Sequence, residues 1–135
     1  MTIELQYLSA VTILTLLLRI PWMFNKVTVR GLDTVTGYPL DSAPLDPWAQ
    51  RLWIAHEDAV DNLVVFAALV LILHVVGASS TWTQAAAAAY FWSRLVHCIV
   101  YAFAIPRIKT IAFFIGFGAQ LVLAWHLAVL AWSVA

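Results

Sequence analysis

Charge is scarce in this chain of 135 residues. Only 10% of them are Asp, Glu, Lys or Arg, against about 25% in a soluble domain. Such a sequence cannot present an ordinary water-dissolved surface. Neither sign is in excess, with seven Lys and Arg against seven Asp and Glu. Composition therefore supplies no basic stripe for nucleic acid and no acidic face for a basic partner. Cysteine is almost missing: Cys98 stands alone, which excludes an intrachain disulfide, and a lone thiol among apolar neighbours usually fills space. No HExxH, CxxC or comparable pattern occurs, so no metal site is expected. There is no Gly-rich phosphate loop, and Gly116 and Gly118 in FIGFG read as packing glycines. No basic region precedes the first apolar run, where Glu4 stands instead. That run is expected to be a retained helix, not a cleaved leader.

What the chain has in plenty is apolar sequence, 64% by residue. Four segments stand out, at about 5–27, 53–76, 82–105 and 111–134, each near the ~20 helical residues that cross a bilayer core. The expected fold is an all-α membrane protein, a four-transmembrane-helix bundle forming a single domain over residues 1–135. Residues 63–93 and 110–135 contain no Asp, Glu, Lys or Arg. Arg19 and Pro21 interrupt the first segment; Arg19 is expected to snorkel toward the head groups and Pro21 to bend the helix. Residues 31–47 are rich in Gly, Pro, Asp and Ser and read as a polar loop. The short connection at 77–81 makes the second and third helices antiparallel neighbours. Lys26, Arg30 and Arg51 flank the first connection and Arg107 and Lys109 the third, whereas the second has no Lys or Arg. The positive-inside rule then puts the first and third connections in the cytoplasm and both termini on the non-cytoplasmic side of a cell (inner) membrane. Trp22, Trp48, Trp82 and Trp132 fall near segment ends, as an aromatic belt requires. The alanine run 85–89 permits close helix packing.

The sequence DPWAQRLWIAHEDAVDNLVVF at 46–66 carries ionisable groups into an apolar helix, and such groups mark a functional site by default. Arg51, Asp58 and Asp61 (or Asn62) fall on roughly one face. In the third segment Arg94, His97 and Tyr101 do the same. Two polar stripes on adjacent antiparallel helices would meet and exclude lipid, with Asp61 and Arg94 as the expected pair. The plainer reading is that such a pair only fixes helix register. His56 and Glu57 read as solvated where the helix begins, and His74 and His126 as packed or interfacial.

The combination R-x-x-x-A-H-x-x-x-x-D-N-L-x-x-F (51–66), F-W-x-R-L-x-H-x-x-x-Y (91–101) and I-P-x-x-K-T (105–110) resembles the MAPEG family, the membrane-associated proteins of eicosanoid and glutathione metabolism, and its small bacterial members in particular. The likeness covers almost the whole chain. It implies a four-helix subunit, a homotrimer, and glutathione as co-substrate bound between subunits near the cytoplasmic face. It also implies thiolate chemistry on small lipophilic electrophiles or hydroperoxides. Glutathione carries two carboxylates, an ammonium and a thiol. Arg51, Arg94 and Lys109 could meet the carboxylates, Asp58 and Asp61 the ammonium, and Tyr101 or His97 could donate to the sulfur. Lys109 and Tyr101 are then the candidate catalytic residues, and Arg51, Asp58, Asp61, Arg94 and His97 the glutathione-binding set.

Four positions depart from the family pattern. Ile54 replaces a second Arg, Asp58 an Asn, Asp61 a Glu, and Lys109 the Arg after the third helix. The first two shift the pocket by about two charge units toward negative, and a Lys does not reproduce a bidentate Arg. A non-catalytic MAPEG-like protein that binds a lipid or a partner is therefore the alternative to a transferase or peroxidase. A small multidrug transporter fits less well, because the acids sit in the second helix and the Lys/Arg asymmetry is clear.

Overall fold

The computed structural model describes residues 1–38 and 43–133. Its elements are α1 (Ile3–Arg30), α2 (Leu32–Thr36), α3 (Pro47–Val75), α4 (Thr81–Ala102) and α5 (Ile108–Ser133). The four long helices match the four apolar segments to within a few residues. The largest shift is at the start of α3, where Pro47 takes the first helical position, a site at which its fixed φ and missing N–H cost nothing. Pro21 lies inside α1, which continues past it to Arg30. Gly31, at φ 83°, ends α1 by donating its N–H to the Val27 carbonyl. The polar connection is not loop throughout, since α2 occupies part of it; residues 39–42 of that expected loop lie outside the described residues. Its far end is pinned to α1: Asn25 Nδ2 donates to Asp46 Oδ2 (2.7 Å), and the Asp46 N–H donates to Asn25 Oδ1 (3.1 Å).

Helices α1, α3 and α5 are long and apolar enough to cross a membrane. Helix α4 falls short of that standard because Thr83, Ser93, Arg94 and His97 lie along it, and all four are buried against its neighbours. The outer face is greasy instead: Leu16, Phe24, Val64 and Trp125 are each more than 60% exposed. A sequence whose polar residues face inward and whose large apolar residues face outward is solvated by lipid, not by water.

The core lies where α1, α3, α4 and α5 converge, around Val11, Phe66, Val70, Leu73, Tyr90 and Leu123. Phe66 and Tyr90 stack with ring centroids 3.9 Å apart. Small residues let the backbones approach: Ala86 and Ala87 from the alanine run are buried, as are Gly116 and Ala119 on α5. Cys98 is buried in the same way. A second cluster, Trp22, Leu45, Ala49 and Leu52, seals the junction of α1 and α3. Trp22 therefore departs from the expected belt. It is 7% exposed and stacks on Trp53 at 5.3 Å, while Trp48, Trp82 and Trp132 are exposed.

Gly116 is a point of close approach in the α4–α5 seam. A Cβ there would stand 2.9 Å from Ser93 Oγ, whereas one at Gly118 meets nothing within 4 Å. Gly116 alone thus behaves as the expected packing glycine within the subunit. Gly116→Ala is expected to destabilise the subunit by about 1–3 kcal/mol through overpacking. Adding Ser93→Ala removes the clashing oxygen and should restore most of the loss. Thermal unfolding in detergent checks this, and a double variant no more stable than Gly116→Ala would contradict it.

Candidate functional site

An α-helix turns about 100° per residue. Relative to Arg51, Asp58 then lies at about −20°, Asn62 at about +20° and Asp61 at about −80°. Three of these residues face α4 and α5, and the fourth turns away. Asp58 Oδ2 stands 3.6 Å from Arg94 Nη1 and 3.5 Å from His97 Nε2. Asn62 donates to the Asp58 carbonyl at 2.8 Å, and the Asn62 carbonyl accepts from Gln120 Nε2 at 3.0 Å. The expected Asp61–Arg94 pair is therefore corrected to Asp58–Arg94. Asp61 is exposed and lines a separate recess of about 340 Å³ with Arg19, Trp22, His56 and Glu57. His56 is also corrected. It is buried against Trp22, with ring centroids 5.8 Å apart, and only Glu57 is exposed as expected.

Arg94 is 3% exposed, the deepest cation in the chain. Its guanidinium lies between the Tyr90 ring (6.0 Å) and the Phe113 ring (5.9 Å), and the missing side chain at Gly116 makes room for it. Aromatic faces and one carboxylate together lower the cost of burying this charge. Yet Nε and Nη1 of Arg94, Nδ1 of His97 and the Tyr90 hydroxyl are buried with no hydrogen-bond partner among the described residues. Each such atom costs about 1–3 kcal/mol unless something satisfies it.

Between α4 and α5 the backbone reverses through Ala104 (φ 57°), Pro106 and Arg107 (φ 71°). Left-handed conformations in non-glycine residues are unfavourable by about 1–2 kcal/mol each. Here they fold α5 back so that Lys109 Nζ stands 4.8 Å above the Tyr101 ring. Tyr101 in turn lies 5.6 Å from the His97 ring. Arg51, Ile54, Tyr101, Ile105, Pro106 and Lys109 line a cavity of about 230 Å³ at this point. Arg51 is held there by donating Nε to the Ala102 carbonyl at 3.1 Å.

Six of the seven residues singled out from sequence thus fall into two linked groups. Arg51, Tyr101 and Lys109 share the cavity; the half-buried Asp58 and the buried Arg94 and His97 form the cluster behind it, joined through the His97–Tyr101 contact. Asp61 stands apart. Sequence reasoning passes over Gln120, which is buried and ties α5 to α3. Its signal is present, as the one amide in a mostly apolar helix. His74 is exposed, and His126 hydrogen-bonds through Nδ1 to its own helix at the Val122 carbonyl (2.8 Å).

No curated protein and no solved structure was found to match the chain. The MAPEG family profile does match, over residues 8–129. That span takes in all three motifs and both polar groups just described, and on this match the chain belongs to the MAPEG family of membrane proteins.

Proposed function

We propose that this protein is a glutathione-dependent transferase or peroxidase, acting on lipophilic electrophiles or hydroperoxides at the cytoplasmic face of the cell membrane. The observation that carries the reading is the convergence of Arg51, Tyr101 and Lys109 on one cavity at the turn between α4 and α5. Two cations at its rim suit the two carboxylates of the tripeptide. With its Nε engaged by Ala102, Arg51 keeps its terminal nitrogens for a ligand. The Tyr101 hydroxyl and the Lys109 ammonium favour a thiolate over a thiol. The partnerless nitrogens of Arg94 and His97 are the kind of buried donors that a polar ligand satisfies.

In this reading the thiol gives its proton to water and the sulfur attacks the electrophile. In conjugation it forms a carbon–sulfur bond as the leaving group departs. With a hydroperoxide it breaks the O–O bond, giving an alcohol and a sulfenic acid, which a second thiol reduces. The lipophilic substrate arrives from the bilayer.

A cavity of about 230 Å³ lies below the ~300–1,000 Å³ of typical ligand pockets. A neighbouring copy would supply the missing wall, and family membership makes a homotrimer of four-span, single-domain subunits the functional unit in this proposal. Both termini then lie on the non-cytoplasmic side.

One observation favours a non-catalytic alternative. Ile54 forms part of the cavity wall, so an apolar surface stands where family members carry a second Arg, and Arg94 is already paired with Asp58. Such a pocket suits a lipid. Calorimetric titration of glutathione into the detergent-solubilised protein decides between the two. Saturable binding that weakens about tenfold or more in Arg51→Ala supports the thiol reading, and absence of heat together with absence of conjugation of a general electrophile overturns it.

A further inference from the structure

A second polar site lies at the opposite end of the bundle, where the first turn of α1, the last turn of α3 and the start of α4 meet. Its centre is Glu4, only 3% exposed. Oε1 accepts hydrogen bonds from Ser79 Oγ (2.8 Å) and from Thr83 Oγ1. Thr83 also completes a capping box with Ser80, so this oxygen fastens the start of α1 to the start of α4. Oε2 plays no part in that fastening and is buried without a partner. Among the described residues no Lys or Arg forms an ion pair with Glu4; the two ionic contacts found are those of Asp58. Holding α1 to α4 accounts for one oxygen of the carboxylate; the positive N-terminal ends of α1 and α4 offset part of its charge, and Oε2 is left without a partner.

Glu4 forms part of the wall of a cavity of about 190 Å³, together with Thr2, Leu73, His74 and Ser79. The C-terminal end of α3 also borders it, and carries the negative end of that helix dipole. The carboxylate and this helix end favour a cation, against the opposing positive ends of α1 and α4. No group of three His, Cys, Asp or Glu capable of holding a metal ion occurs among the described residues. Because the cavity lies at helix ends, it sits level with the head groups of the surrounding lipid, and exposed Trp82 belongs to the same end. Its size admits an aminoethyl group.

We propose that this cavity binds the primary ammonium of a lipid head group, such as that of phosphatidylethanolamine, with Glu4 as its countercharge. A primary ammonium offers three N–H donors and a compact charge. A choline head group offers neither, because its nitrogen is fully methylated. The site is independent of the Lys109 cavity, and its failure would leave the thiol reading untouched.

The test places the protein in vesicles of phosphatidylglycerol mixed with either phosphatidylethanolamine or phosphatidylcholine, and counts retained lipid by native mass spectrometry after extraction. Wild type should retain the ethanolamine lipid over the choline lipid by about fivefold, the upper range for one partly hydrated ion pair. Glu4→Gln keeps the size and an oxygen that accepts from Ser79 and Thr83, and should bring the ratio to about one. Equal retention of the two lipids by wild type overturns the proposal without recourse to any variant, so an unfolded Glu4→Gln protein would not shelter it. An unchanged preference in a folded Glu4→Gln protein overturns it as well. Free ethanolamine added to choline-lipid vesicles separates the sources: stabilisation by the free amine with no lipid preference would assign the ammonium chemistry to a soluble ligand and overturn the lipid assignment.

Discussion

Asp58→Ala is expected to be among the most damaging single substitutions in the bundle. Arg94 is 3% exposed, and among the described residues Asp58 is its one carboxylate partner, at 3.6 Å. Removing one member of a fully buried pair costs about 3–5 kcal/mol, because the remaining charge is left uncompensated. Asp58 has a side chain 37% exposed, so some water reaches it, and a loss of about 2–3 kcal/mol is the appropriate expectation. His97 loses its carboxylate contact at the same time. Asp58→Asn should destabilise nearly as much, since the amide keeps the shape and drops the charge. The informative variant is the double Asp58→Asn/Arg94→Met. It removes both charges, retains apolar volume between Tyr90 and Phe113, and should recover most of the stability. Thermal unfolding in one detergent checks all three. A double variant whose loss equals the sum of the single losses would show that the two residues do not act as a pair. The family pattern carries Asn at this position, and Asp58 is what allows Arg94 to be buried with its charge answered inside the subunit.

Lys109→Ala should have the largest effect on activity while leaving stability almost unchanged. Its side chain is exposed at the rim of the cavity, with Nζ 4.8 Å above the Tyr101 ring. Loss of a group that stabilises charge at the reacting atom lowers turnover by about 10²–10³-fold. Lys109→Arg should retain turnover, because a guanidinium keeps the charge and adds a planar donor fork. Lys109→Met should behave like Lys109→Ala, which separates the charge from the side-chain bulk. The measurement is conjugation of a general electrophile at saturating glutathione, alongside an unfolding midpoint for each variant. Turnover in Lys109→Ala equal to wild type would remove Lys109 from the chemistry. If no thiol-dependent turnover exists in wild type, the lipid-binding alternative takes its place, and Ile54 in the cavity wall becomes the residue to examine.

The polar stripes show how close a linear reading comes to a site and where it stops. Arg51, Asp58 and Asn62 fall within about 40° of one another on α3, and Arg94, His97 and Tyr101 follow one face of α4, so the meeting of the two helices is legible in the sequence. The choice between Asp58 and Asp61 is not. Both are acids on the same helix and less than one turn apart. The rotation of α3 against α4 decides which one reaches Arg94, and that rotation is set by Phe66 stacked on Tyr90 and by Gln120 holding the Asn62 carbonyl. His56 escapes a linear reading for a related reason. Its burial depends on Trp22, which comes from a different helix and is itself drawn inward by Trp53 and Leu45.

Length, apolar composition and the position of charge sufficed to place four long helices and a membrane environment, because those properties are sums over local residues. The motifs sufficed for the family, because they record residue types at fixed spacings. Three-dimensional packing alone decided which acid pairs with Arg94, that Lys109 folds back over Tyr101, and that Glu4 is buried with one oxygen unanswered. Each of these depends on contacts between separate helices, and such contacts form only once the helices have taken their rotation and depth against one another.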